Sequence, residues 1–371
     1  MKKAQLGLLA LGVLILTAQN SPADTAWSST SSSDWGTGGN WTNGLPSFGP
    51  QLAVHRGTAS LQKSITLGAT ARETVGMLFT FTSGGTGYTF SGLGVNPGFF
   101  IRSGGSVNGI LQNDDTVATF NVPVKLLDSA GLPGAGAAQT WNAAAGNLVF
   151  NGNPSAASPW TLNLNGASAL TISGAFNVSI GTSGSGAVVN TNIGTSTGFI
   201  KNGSGTLFLG GSAANTFTGT NFINAGIVTA GKINALGAGN ALVMAGGTFN
   251  SGGVDQTLGV LDLDGHNSTI DFGTGFSDII FDNSSGADWE NFHLNLVNWT
   301  AGNDTIRFGT DNTGLSVGQL FNVHFIGSGY DFAAIDEFGY LTPIPEPNSA
   351  GIAVIGVIAF VIARRIRSRL S

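Results

Sequence analysis

Apolar and polar residues alternate in short runs along most of the chain. Runs of this length and period predict short β-strands, each with one buried face. Thr74 to Phe81 reads as one strand, and Gly87 to Gly92 as another. Gly105 to Gln112, Ala118 to Lys125, Gln139 to Asn142, Gly146 to Gly152 and Trp160 to Gly166 continue the series. Glycine and asparagine recur between the runs, where the chain must turn and positive φ is tolerated. No stretch of this body carries a 3.6-residue amphipathic period. The Gly-, Ala- and Pro-rich segment Ser129 to Ala138 reads as a loop projecting from one coil. The segment from 268 to 341 still holds strands, at Thr269 to Gly273, Asp278 to Asp282 and Asp304 to Gly309. It also holds the one short helix expected, Ser316 to Phe321 with Ser316 as N-cap.

Composition sharpens this picture. Glycine supplies 58 of 371 residues, and 42% of the chain is hydrophobic, so the glycine marks turns between strands rather than disorder. Charged residues make up only 9% and cysteine is absent, so no disulfide contributes. The formal net charge of −6 understates the acidity of the body. Lys2, Lys3, Arg364, Arg365, Arg367 and Arg369 sit at the extreme ends, and only Arg307 is basic between Ile233 and Pro345. This argues against nucleic acid as a partner, because phosphate binding needs clustered Lys and Arg. The acid-rich stretch after Lys232 is a candidate for weak binding of divalent cations that link protein to anionic polysaccharide.

The two ends predict export. Lys2 and Lys3 precede the apolar run Leu6 to Ala18, and Ser21-Pro22-Ala23 offers small residues for cleavage after Ala23 by signal peptidase. Leu16-Thr17-Ala18 is a second possible cut. At the other end, Pro345-Glu346-Pro347 is followed by the apolar run Ser349 to Ala363 and by Arg364, Arg365, Arg367 and Arg369. Arginines placed there would stay cytoplasmic. This ordered set resembles the PEP-CTERM sorting signal. The resemblance implies a transient membrane helix at 349–363. It also implies removal of the tail near the tripeptide by an exosortase, a membrane-embedded cysteine protease.

One internal segment resembles a second family. Lys201-Asn-Gly-Ser-Gly-Thr-Leu-Phe-Leu-Gly-Gly is followed by Asn215-Thr-Phe-Thr-Gly-Thr-Asn-Phe-Ile-Asn-Ala-Gly-Ile-Val. This is similar to the autotransporter-associated β-strand repeat, with Ala241 to Asn250 and Gln256 to Gly265 as successor rungs. Leu207 and Leu209 would share one face, Phe217 and Gly219 the next, and Phe222 and Ile223 would open a third strand. The opening Trp35-Gly-Thr-Gly-Gly-Asn-Trp41, with Trp27 and Pro46, also resembles the start of such proteins. There the tryptophans would cover the terminal rung; exposed, they would stack on sugar rings.

The expected fold is therefore all-β: a right-handed parallel β-helix or solenoid with a β-rich C-terminal cap, flanked by a signal helix and a membrane helix. Residues 1–23 are the signal peptide, 24–57 an N-terminal cap and 58–267 the solenoid, with the repeat near 198–230. Residues 268–341 are the cap and 342–371 the sorting signal.

No catalytic, cofactor-binding or metal-binding residue is assigned. A β-helix enzyme would need converging carboxylates, or carboxylates with a Lys or Arg. The pairs available are Asp114 with Asp115, Asp262 with Asp264, and Asp288 with Glu290. They read first as turns or solvated rung faces. His55, His266, His293 and His324 show no metal-ligand spacing and read as surface or partly buried residues. Gly302-Asn-Asp-Thr-Ile306 looks like half of a calcium-binding nonapeptide repeat, without the tandem copy such a site needs. The function expected is an exported, non-enzymatic structural or adhesive surface protein in contact with extracellular polysaccharide. The alternatives are a polysaccharide-active enzyme and a carbohydrate-binding protein.

Overall fold

The alternating runs fold as strands that return to the same sheet once per coil. The structure, a computed structural model, describes residues 24–344 except 47–50, 57–60, 81–85, 93–97, 103–108, 128–138, 153–159, 164–169, 182–186, 190–197, 213 and 328–331. The signal segment with Ala23, the loop 129–138 and the tail carrying Pro345, Glu346, Pro347, 349–363, Arg364, Arg365 and Arg367 lie outside the described residues. Among the described residues no helix is long and apolar enough to cross a membrane.

Nearly all regular structure is parallel β. One sheet orders ten described strands, from Thr25–Ala26 through Gly76–Thr80 and Phe199–Lys201 to Leu261–Leu263. A second orders eleven, from Ser64–Thr66 through Thr206–Leu209 to Val323–Phe325. A third side is built in two blocks: five strands between Arg72–Thr74 and Ala187–Val189, then three from Gln256–Thr257 to Thr305–Phe308. Neighbours within each of these sheets come from successive turns of the chain, which is the order a stacked coil produces and is consistent with a β-solenoid.

The interior follows from the two-residue period. Leu207 and Leu209 point inward, while Thr206 and Phe208 are half-buried on the outer face. Parallel register then stacks like on like. Phe90, Phe120 and Phe150 pair in register, with ring centroids 4.9 and 4.6 Å apart. Higher up the column is aliphatic, as Val178 and Ile180 sit on Leu207 and Leu209. Each such side chain contributes roughly 1.5–3 kcal/mol on burial, and it is buried only because another coil lies above or below.

Several predicted strands are in fact two. Thr74 to Phe81 divides into Arg72–Thr74 and Gly76–Thr80, which belong to different sheets. Ala118 to Lys125 divides at Val122 and Pro123 into Ala118–Asn121 and Val124–Leu127. The rungs expected at Ala241 to Asn250 and Gln256 to Gly265 each hold two strands, Leu242–Met244 with Thr248–Asn250 and Gln256–Thr257 with Leu261–Leu263. A coil corner keeps its apolar residue inside while the backbone bends, so the period runs on through the turn. Pro123 suits such a corner, because it has no N–H to give to a ladder.

Phe217 and Gly219 do not lie on a strand, although Phe217 is buried. Here the coils shorten. Leu170 starts 31 residues after Gln139, whereas Leu242 starts 21 after Asn221. The strand of the third side is replaced by side-chain amides. Asn215 Nδ2 donates to the Ala235 carbonyl at 2.6 Å, Asn221 Nδ2 to Leu236 at 2.9 Å, and Asn240 Nδ2 to Phe217 at 2.9 Å.

The parallel stacking continues past residue 268. Ser268–Asp271, Leu294–Val297 and Val323–Phe325 extend the second sheet without a break. The antiparallel hairpin Phe332–Ile335 with Leu341–Ile344 then follows, joined to the last coil by a bridge from Arg307 to Tyr340. The predicted helix is present at Val317–Phe321, with a full capping box between Ser316 and Gln319.

Candidate functional site

The tryptophans at the start are interior groups. Trp27, Trp35 and Trp41 are 1%, 1% and 4% exposed. Trp41 packs edge-on against both Trp27 and Trp35, at centroid distances of 5.1 and 4.5 Å. Two of the indole N–H groups are taken as well: Trp27 Nε1 donates to the Gln62 carbonyl and Trp41 Nε1 to the Trp35 carbonyl. The three rings cover the first coils. No face is free for a sugar, so the stacking role is not supported by their placement.

His55 lies beneath this cap and is fully buried, not a surface residue. Trp35, Trp41, Phe79, Tyr88 and Phe90 surround its ring. Neither ring nitrogen has a hydrogen-bond partner. Burial alone pushes the imidazole down to about 3, so it is neutral at any ordinary pH.

The carboxylate pairs separate into two kinds. Asp114 is buried in a turn, its Oδ1 accepting from the Thr116 N–H, and Asp115 is exposed. Asp288 accepts the Glu290 N–H at 3.0 Å in an exposed turn where Glu290 has φ +48°. The fold brings Asp262, Asp264 and Asp288 near one another from two coils. Partial burial, then the charges of Asp264 and Asp288, raise the Asp262 carboxyl above its ordinary range, against a lowering backbone hydrogen bond. Asp262 Oδ1 has no hydrogen-bond partner. Asp262 alternates outward between buried Leu261 and Leu263. This grouping is the nearest approach to acid–base machinery among the described residues.

The histidine spacing missed one contact. His293 Nδ1 and His324 Nε2 are 2.6 Å apart, from residues 31 apart in sequence. Adjacent coils carry them, and only the coil length reveals that they meet. His266 is exposed and stacks on Phe292. Among the described residues no three His, Cys, Asp or Glu are grouped to hold a metal ion.

Asp304 of the calcium-like string is 3% exposed. Its Oδ1 accepts the Ser277 N–H at 3.0 Å and its Oδ2 the Thr300 N–H at 2.7 Å. Both oxygens thus tie neighbouring backbone together.

Lys201 heads the repeat motif, but the motif alone assigns it no role. It is buried, and its ammonium donates to the carbonyls of Asn202 at 2.7 Å, Gly203 at 2.8 Å and Ala225 at 3.4 Å. It pins the turn of the repeat to the coil above.

No family model, no curated protein and no solved structure matches the chain.

Proposed function

We propose that the chain is an exported, non-enzymatic structural protein of the cell surface or extracellular matrix, delivered with two removable ends. The coils are taken to wind right-handed, the sense that parallel crossovers nearly always adopt. In this reading signal peptidase cuts after Ala23. The segment 349–363 holds the chain in the membrane until an exosortase-type protease cuts near Pro345, Glu346 and Pro347, and the body is then free to join extracellular polysaccharide.

The observation that carries the reading is how the body is tied at its two margins. Asp24 is buried, its Oδ1 accepts the Leu52 N–H, and the Thr25 N–H donates to the Leu52 carbonyl. Ile344 pairs with Phe332 in the terminal hairpin. Cuts at both predicted places therefore spare every described strand. The Trp27, Trp35 and Trp41 cap and the hairpin cover the two ends of the stack, as a free-standing solenoid requires. Fractionation of cells expressing the chain, with an antibody to the body, tests this. The body should be found outside the inner membrane; a cytoplasmic pool alone would overturn the proposal.

A second reading is a polysaccharide-active enzyme centred on Asp262, Asp264 and Asp288. The raised Asp262 carboxyl favours it, since a general acid must hold its proton. It predicts release of reducing ends from acidic or neutral polysaccharide, abolished by Asp262→Asn. Equal release by wild type and variant would remove it.

A further inference from the structure

The described residues expose twelve large hydrophobic side chains, and six of them fall between 317 and 344. Four of these six form a continuous surface. Val317 and Phe321 are one helical turn apart and are 71% and 60% exposed. Phe321 meets Phe332 edge-on, with centroids 5.9 Å apart. Phe332 pairs with Ile344 across the hairpin, and these two are 40% and 44% exposed. A helix of five residues does not need so apolar an outer face to pack, because Leu320 and Gln319 already turn inward.

We propose that this surface, Val317, Phe321, Phe332 and Ile344, rests on a lipid bilayer while the adjoining segment 349–363 spans it. The inference rests on reading 349–363 as a membrane segment. Three observations point to lipid. The chain leaves the surface at Ile344, and only residues 345–348 separate it from the apolar run. The five Cα–Cα steps from Ile344 to Ser349 reach at most about 18 Å. A spanning segment 349–363 would therefore hold Ile344 within that distance of the bilayer. The run itself is short: fifteen residues of helix cover about 22 Å, against about 30 Å of hydrocarbon. A short span draws its flanks into the interface. Finally, the chain has no Lys or Arg between Arg307 and Arg364, and the hairpin turn carries Asp336 and Glu337. The contact must therefore be apolar, without attraction to anionic headgroups.

The absence of cysteine makes the test direct. Phe321→Cys and Phe332→Cys in the full chain each carry one environment-sensitive fluorophore; Phe276→Cys, exposed on the side of the stack, is the control. Each protein is reconstituted into phosphatidylcholine vesicles, with and without spin-labelled lipid, and insertion is checked by resistance to alkaline extraction. The labels at 321 and 332 should lose most of their emission to spin-labelled lipid, and that at 276 should not. Inserted protein with unquenched labels at 321 and 332 would overturn the lipid contact while leaving the membrane segment intact. Failure to insert would overturn the membrane reading and the contact with it. Labels shielded in a detergent-solubilised dimer would assign the surface to a second copy and overturn the proposal.

Discussion

His55 stacks on Phe79 with ring centroids 5.1 Å apart and planes 20° from parallel, and neither of its nitrogens has a hydrogen-bond partner. The group is neutral when folded and titrates near 6.5 when unfolded. Between about 3 and 6.5 the unfolded chain binds the extra proton, so stability is full above 6.5 and is lost as pH falls through that window. The loss reaches on the order of 5 kcal/mol at the acid end. His55→Leu should remove this dependence. Thermal unfolding at pH 7 and pH 4.5 checks it: the drop between the two should be clearly smaller in the variant. An equal drop would show that another group governs acid lability.

Gly205 lies where two coils touch. A Cβ there would sit 1.9 Å from the Phe176 carbonyl oxygen, and one on Gly203 would sit 2.4 Å from that of Gly174, at φ +70°. Gly205→Ala should therefore destabilise by about 2 kcal/mol or more, since backbone on the next coil must move. Denaturant unfolding would read this as a lower midpoint. An unchanged midpoint would mean that the coils are not packed as described.

Lys201 holds three carbonyls on two coils, at 2.7, 2.8 and 3.4 Å. Lys201→Met keeps the apolar stem and removes the donors. It should cost about 2 kcal/mol, because the buried carbonyls lose a charged partner. Hydrogen exchange should rise in the turns near 202 and 225 before it rises elsewhere.

The Asp262 carboxyl is raised above 3.8 by burial, Asp264 and Asp288. A folded group with a raised pKa favours the folded state when protonated, so its contribution fades as pH rises through the carboxylate range. Asp262→Asn should be neutral or stabilising at pH 7 and lose that advantage near pH 3. Melting curves at the two values decide it.

Much of the interior was legible because inward positions alternate and parallel register repeats them. The pair Leu207 with Leu209 is visible as letters. So was the capped helix at Ser316, since a capping box is local. The corners were not legible: Val122 and Pro123 keep the apolar rhythm while the backbone bends into another sheet. The repeat's glycines were visible as a motif, but their cause is steric contact with Gly174 and Phe176, about thirty residues back. The meetings of His293 with His324, and of Asp262 with Asp288, depend on coil length. That length changes where Asn215, Asn221 and Asn240 replace a strand with side-chain hydrogen bonds. The burial of Trp35 and Trp41 followed from the need to cover a terminal coil, but the same residue types would also suit a sugar site.

The central claim is that a self-contained body is exported and freed at both margins. Intact-mass and terminal-peptide mass spectrometry of the protein recovered from the cells that make it tests this most directly. The account predicts a first residue at Asp24 and a last residue near Pro345 to Pro347, with Arg364, Arg365 and Arg367 absent. A recovered chain that still begins at Met1 or ends at Ser371 would contradict it.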